Sequence, residues 1–432
     1  MNELEITQYL ADFHKIELPA VIKRDIKIPP TSKIKAIIGP RRAGKTFFLY
    51  QLMKEFKDKK QDFIFLNFEN TKLFDINFKD IREIIALNNR FFKNNLESKP
   101  IVFIDEPQNI EFWERAVREL FDEEYNIFVS GSSSKLLSKE IATSLRGRSL
   151  SYNILPFSFK EFLFAKNFKH DKIPSTNEKN SIQKFLDEYL EFGGFPEVTL
   201  ENDSMQKIKN LESYFELTIY KDIVERHKIK DSLLIKWILK SLISSYSKEL
   251  SINKVYLTLK SHGRKISKDE IYLYYSLIED SFFAFYLPKF SNSIRKKEPL
   301  SKIYLCDLGF TKLGLSMEDR GKKMENTVFL QLFNKKRPNT ELFFWKSAQQ
   351  DEVDFVIKER GNINELIQVC KEVKEEKTKK REITSLIRAG KELNCKNLLI
   401  ITEDYESHEN IESADTMHTI KFIPLWKWLL LN

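Results

Sequence analysis

Eight residues from Gly39 to Thr46, Gly-Pro-Arg-Arg-Ala-Gly-Lys-Thr, limit what this chain can fold into more than any other stretch. They match G-x-x-x-x-G-K-[S/T], with the β-like KIKAIIG before them and the amphipathic TFFLYQLMKEF after them, which is the strand-loop-helix setting this pattern needs. Glycines let the backbone N–H groups turn inward around phosphate oxygens, and a helix start adds partial positive charge. The spacing therefore predicts a cradle for a nucleotide polyphosphate made of Gly39, Pro40, Arg41, Arg42, Ala43, Gly44, Lys45, Thr46 and Phe47. Lys45 is expected to reach the β- and γ-phosphates and the Thr46 hydroxyl to ligate magnesium, so ATP and Mg2+ are the implied cofactors.

A cradle binds, but hydrolysis needs acid groups beside it. IVFIDEPQNI, from Ile101 to Ile110, is an apolar run that delivers Asp105 and Glu106 to a strand's carboxyl end. Asp105 is the expected second magnesium residue, and Glu106 the base that orients and deprotonates the attacking water. The next run, NIFVSGSSSK, ends in Ser132, Ser133 and Ser134. A seryl there, Ser132 first, can sense the γ-phosphate.

A chain of 432 residues exceeds one ordinary core, so about three units are expected. Short β-like runs alternate with helical patterns over residues 1–160, predicting a parallel sheet covered by helices. Residues 161–232 read as an α-helical lid. Residues 233–312 carry three helical segments followed by FFAFYLPKF and SKIYLCDLGF, the order of a winged helix. Beyond a linker-like GLSMEDRGKK, residues 320–432 return to α/β character. A hydrophobic fraction of 42% with 35 phenylalanines excludes a disordered chain. Three widely spaced cysteines, Cys306, Cys370 and Cys395, form neither a disulfide framework nor a zinc site and suit a reducing compartment. No apolar run approaches the length of a membrane span, so a cytoplasmic protein with no membrane partner is expected. A net charge of +8 permits nucleic acid as a partner without requiring it.

The order GPRRAGKT, IDEPQN, VSGSSS, SLRGRS, LPFSFKEFL, FGGFPEV and YKDIVERHKI resembles the AAA-like P-loop ATPases of the archaeal and bacterial family with a domain of unknown function, DUF4143, after the ATPase core. The resemblance runs along nearly the whole chain. It implies a RecA/AAA-like core with an extra strand between the two ATP motifs, for which NFE is the candidate, and it allows a homo-oligomer. It also implies that Arg146 and Arg148 of SLRGRS act as phosphate-sensing or finger arginines, in cis or from a neighbouring subunit. The other reading pairs them with surface carboxylates.

Two further features bear on partners. ELSINKVYLTLKSHGRKISKDEIYLYYSLIED reads as helix, turn, helix, with Ser267 as N-cap and His262, Arg264, Lys265 and Lys268 at the turn. With the basic turn Arg295–Lys297, it makes DNA, duplex or branched, a candidate partner. Tyr272, Leu273, Tyr274, Tyr275 and Leu277 read equally well as core. The terminal segment resembles the restriction-endonuclease-like PD-(D/E)XK fold: helix Met324–Glu325–Asn326, then Asp354, then a strand. Where active members carry E-x-K, this chain has Gln368-Val369-Cys370. An amide is a poor magnesium ligand and a thiol cannot replace an ammonium, and Lys371 lies on the opposite strand face from Cys370. Nuclease activity is therefore not expected unless a bulge recruits Glu365 or Lys371. The expectation is a magnesium-dependent ATPase acting on DNA; the alternatives are an ATP-dependent signalling switch and an ATP-controlled nuclease.

Overall fold

Among the described residues of the first 156, five short runs form strands, and every pairing among them is parallel. In the computed structural model, helix α1 (Glu3–Lys15) precedes β1 (Ile34–Ile38), α2 (Lys45–Asp58), β2 (Phe63–Asn67), α3 (Asp80–Phe91), β3 (Ile101–Asp105), α4 (Trp113–Asp122), β4 (Ile127–Gly131) and β5 (Ser149–Asn153). The structure describes residues 3–73, 76–92, 98–132, 147–171, 173–291, 301–314, 319–373, 375–413 and 416–431. Strand order is β2-β3-β4-β1-β5. Strands β1, β3 and β4 are buried along their whole length, which is why they read as unbroken apolar runs rather than alternating ones. Because they are parallel, Ile38, Asp105 and Gly131 all end at one edge of the sheet, where ligands of open α/β sheets bind.

Two details correct the sequence reading. The strand standing between the cradle strand β1 and the acidic strand β3 is β4, whereas the strand of NFE, β2, lies at the sheet edge. Strand β5, SLSYN, was not anticipated: it lacks valine and isoleucine, and its outer residues are exposed or half-buried. Against the sheet, α2 packs Phe48, Leu49, Leu52 and Met53 onto Ile37, Phe65, Phe103 and Phe128. The rings of Phe103 and Phe128 stack with centroids 4.9 Å apart. Each such side chain, fully buried, contributes about 1.5–3 kcal/mol.

Residues 1–156 with 280–282 form one unit, and residues 157–279 with 283–432 another. The second opens with α5 (Phe159–Ala165), α6 (Thr176–Phe192), α7 (Pro196–Leu200) and α8 (Ser204–Leu217), which continues as a π-helix over Thr218–Glu225. Ser158 and Ser175 start α5 and α6 with reciprocal capping boxes to Glu161 and Glu178. Next come α9 (Ser232–Ser244), β6 (Glu249–Leu250), α10 (Ile252–Ser261), α11 (Lys268–Asp280), β7 (Ala284–Pro288) and β8 (Ser301–Leu305). These strands form an antiparallel sheet in the order β6-β8-β7.

The terminal part holds α12 (Arg320–Asn334), β9 (Thr340–Lys346), β10 (Glu352–Glu359), β11 (Asn362–Cys370), α13 (Glu376–Glu392), β12 (Leu398–Thr402), β13 (Ser407–Ser413), β14 (Thr416–Pro424) and α14 (Leu425–Leu431). Its mixed sheet runs β13-β14-β12-β11-β10-β9. The linker reading of GLSMEDRGKK gives way at Asp319, whose side chain caps α12 by accepting from the Lys322 N–H. The helix therefore begins a turn before Met324. Strand β10 carries an extra residue against β9 between Val353 and Val356, a bulge that re-aims the side chain of Asp354. No helix among the described residues is long and apolar enough to cross a membrane.

Candidate nucleotide site

The turn from β1 into α2 has the two backbone features its glycines predict. Gly44 has φ +91°, a left-handed conformation, and a Cβ on Gly39 would fall 2.0 Å from the Ile154 carbonyl oxygen. Gly44 also leaves the start of α2 with no side-chain cap, so its first N–H groups remain suited to an anion. The Lys45 ammonium is buried and donates to the carbonyls of Gly39 at 3.1 Å and Pro40 at 3.0 Å. Its distance to Glu106 Oε1 is 4.0 Å.

The acidic half meets the cradle directly. Thr46 Oγ1 donates to Asp105 Oδ2 at 2.7 Å, and Ser130 Oγ donates to Asp105 Oδ1. Burial, and next to it the charge of Glu106, push the Asp105 carboxyl up to about 6; the bonds from Ser130 and Thr46 act the other way. Glu106 takes φ +49°, an uncommon conformation for a residue with a side chain, held by its N–H to the Ser130 carbonyl at 2.9 Å. Gln108 Nε2 donates to its carboxylate. Such a strained residue next to Lys45 points to function.

The sequence missed two parts of this site. Ser130 touches Asp105, whereas the expectation named Ser132; Ser130 pairs with Asp105 in the β3–β4 register, a relation visible only once strand order is known. Ser132 is buried just past β4, while Ser133 and Ser134 lie outside the described residues. Arg24, in the irregular segment before β1, is also buried and donates to the carbonyls of Ala43 at 2.8 Å and Leu155 at 2.6 Å. It ties the cradle to the end of β5 from behind, and no motif marks it.

Other expected residues fall elsewhere. Arg41 stands 3.6 Å from Glu69, and Phe47 is 52% exposed beside the cradle. Arg146 and the turn Arg295–Lys297 lie outside the described residues. Arg148 is not brought to the cradle: its carbonyl accepts from Ile34, at the opposite end of β1. Its guanidinium donates to Asp122 at 2.6 Å and lies over the Phe121 ring. An action of Arg148 on phosphate within one chain does not fit this placement, because the full length of β1 intervenes.

Among the residues compared with a nuclease, Asp354 sits in the β10 bulge and accepts from the Val369 N–H at 2.9 Å. Gln368 spends its amide on the Asp354 N–H at 3.1 Å and Glu382 at 2.7 Å. Burial pushes the Cys370 thiol up to about 11, so it stays protonated. Glu365 pairs in register with Ile357, well along the strand from Asp354, and Lys371 is taken by Glu372 at 3.2 Å. Neither potential rescuer joins Asp354. In the helix-turn-helix segment, Ser267 Oγ accepts from the Glu270 N–H at 3.1 Å as a cap. Tyr274, Tyr275 and Leu277 are buried, whereas Tyr272 and Leu273 are exposed.

With this geometry in view, three family models match the chain: an AAA domain over residues 31–163, a domain of unknown function (DUF8612) over 183–319, and a domain of unknown function (DUF4143) over 320–428. An uncharacterized protein of Methanocaldococcus jannaschii is 43% identical over 417 residues, 95% of this chain and 91% of its own. The chain belongs to the family of AAA-domain proteins that end in a DUF4143 domain. Another relative, an uncharacterized protein of Haemophilus influenzae, is 28% identical and spans 92% of this chain and 96% of its own. AMPPCP-bound DnaA from Aquifex aeolicus overlaps 57% of this chain and 87% of its own at 12% identity, with a TM-score of 0.23, too slight a likeness to bear on function. The first unit of this family member is thus a P-loop ATPase fold.

Proposed function

We propose that the chain hydrolyses ATP with magnesium and uses the cycle to switch a winged-helix segment and a non-cutting, nuclease-derived terminal domain, with DNA as the partner. One observation carries the ATPase part: the 2.7 Å bond between Thr46 and Asp105, which joins two motifs distant in sequence. The donor set fits magnesium, since a hydroxyl and a carboxylate are hard oxygen ligands, and Lys45 with an uncapped helix start fits polyphosphate. When bound, the ion would supply neutralisation of charge on the phosphate oxygens. The chain's own residues supply the rest. Lys45, which donates to two carbonyls and stands 4.0 Å from Glu106, is able to turn its ammonium to phosphate. Glu106 is fixed by its backbone bond and by Gln108 so that its carboxylate can orient a water and accept its proton. Arg148, half-buried at the far end of the sheet, suits action on a neighbouring chain's nucleotide.

The order α9, β6, α10, α11, β7, β8 supports a winged helix, and Asp354 in a bulge beside α12 supports descent from a nuclease. A protein-partner switch is the second reading, favoured by α11 itself. Its exposed first turn carries Asp269 and Glu270, and Arg264 is paired with Asp231, so the turn offers phosphate less positive charge than its sequence suggests. Steady-state ATPase rates with magnesium or EDTA, and with duplex, branched or single-stranded DNA, separate these readings. A magnesium-dependent rate raised by DNA is expected; a rate indifferent to all three DNAs would favour the switch, and no magnesium-dependent rate would remove the ATPase.

A further inference from the structure

The second unit contains a buried cation that no motif announces. Lys302 on β8 is 2% exposed, and its Nζ lies 2.9 Å from Glu325 Oε1, 2.6 Å from Glu352 Oε1 and 2.7 Å from Asp354 Oδ1. An ammonium has three N–H donors, and here each faces a carboxylate. The acids come from α12, from the start of β10 and from its bulge, and two of them are oriented in turn: the Tyr304 hydroxyl donates to Glu325 at 2.7 Å, and the Val369 N–H to the second oxygen of Asp354 at 2.9 Å. Tyr304 itself stacks on Phe329 with centroids 4.2 Å apart, so the centre is walled by packed aromatic surface.

Three carboxylates around one ammonium, Asp354 buried and Glu325 and Glu352 partly so, are an unbalanced set. Burying an ion costs several kcal/mol, recovered only by close, well-oriented opposite charge, and one ammonium carries a single positive charge against three carboxylates, a deficit of positive charge. Lys346, 3.8 Å from Glu352, offsets part of it. A divalent ion would balance the acids better than a monovalent one. The shell is also nearly the right size, for Ca2+ takes oxygens at about 2.3–2.6 Å, a few tenths of an ångström inside the shell around Nζ. As the side chains stand, no group of three His, Cys, Asp or Glu among the described residues is set to hold a metal ion, as expected when the middle is filled.

We propose that Glu325, Glu352 and Asp354 form a divalent-cation centre whose place is taken by the chain's own Lys302 ammonium, and that withdrawing the ammonium converts the centre into a metal site. The inference stands on the contacts of Lys302 alone and holds whether or not the domain descends from a nuclease. The lysine cannot diffuse away, so the centre is independent of the metal supply, and it ties β8 to α12 and β10 as a fixed charge.

The test uses the full chain, nucleotide-free, as parent, Lys302→Ala, the closer-volume Lys302→Met, and Lys302→Ala with Asp354→Asn. Mn2+ binding is measured by calorimetry and thermal melting is followed with and without millimolar Mn2+. Both single variants are expected to bind one Mn2+ more per chain than the parent and to gain several degrees from it, and the double variant is expected to lose both effects. Single variants that fold yet bind no additional Mn2+, that stay unfolded in millimolar Mn2+, or whose additional ion survives Asp354→Asn would each overturn the proposal.

Discussion

Two of the buried lysines among the described residues, Lys45 and Lys302, are held in opposite ways. Lys45 leans on two backbone carbonyls at 3.0–3.1 Å and keeps 4.0 Å from Glu106. Lys302 is saturated by three carboxylates at 2.6–2.9 Å. Carbonyls are neutral, so leaving them for a phosphate strands no buried charge, whereas leaving the carboxylates strands three. What makes a buried lysine free to work is therefore the nature of its resting partners, not its burial. The same contrast extends to the acids: Asp105 and Glu106 face a turn able to admit a ligand, while Glu325, Glu352 and Asp354 face an ammonium fixed to the backbone.

The sharpest way to break the comparison is to disable each centre by its own chemistry. Glu106→Gln is expected to keep ATP affinity and lose turnover by about 10²–10⁴-fold, the usual worth of a general base; Lys45→Ala should lose binding as well. Turnover near the parent rate in Glu106→Gln, measured beside ATP binding, would place the base elsewhere.

Stability distinguishes the lysines next. Lys302→Ala without metal is expected to cost about 3–5 kcal/mol, as for a buried pair deprived of one partner. Lys45→Ala, which gives up bonds to neutral carbonyls and a longer approach to Glu106 at 4.0 Å, should cost less, about 1 kcal/mol. Urea unfolding of the two variants reads the difference directly, and equal losses would show that the partners do not set the lysines apart.

The smallest effect is expected at Arg148. Its ion pair with Asp122 is partly exposed, so Arg148→Ala should change stability by only about 0–1 kcal/mol. Its effect on ATPase activity should nonetheless be recovered by mixing with Lys45→Ala protein if the arginine serves a neighbour. Mixed, exchanging subunits that stay inactive would restrict Arg148 to its pair with Asp122.

Much of this was legible in the sequence where function and periodicity coincide. GPRRAGKT and IVFIDE mark themselves because each requires particular residues at fixed spacing next to an apolar run. The contacts of Lys302 were not legible, because its acids lie on later elements and the lysine sits in SKIYLCDLGF, an apolar strand with no motif. Arg24 is hidden for a like reason, as the Ala43 and Leu155 oxygens its guanidinium donates to are backbone carbonyls that any residue provides. The hairpin of β13 and β14 escaped because Glu409, Glu412 and His408 fill a half-exposed edge, so its alternation carries little hydrophobic contrast. Strand β5 has the same weakness.

Strand order has a consequence for how the first unit comes into being. β1 is synthesised early, yet its only neighbours in the sheet are β4 and β5, with Lys35 paired to Phe128 and Leu150. At ribosomal rates of about 5–20 residues per second, β1 waits roughly 5–20 seconds for its first partner, and contacts of such separation slow folding further. The phosphate cradle is thus among the last features of this unit to set during synthesis. A nascent chain stopped before Ile127 carries the entire GPRRAGKT sequence on a strand with nothing to pair with.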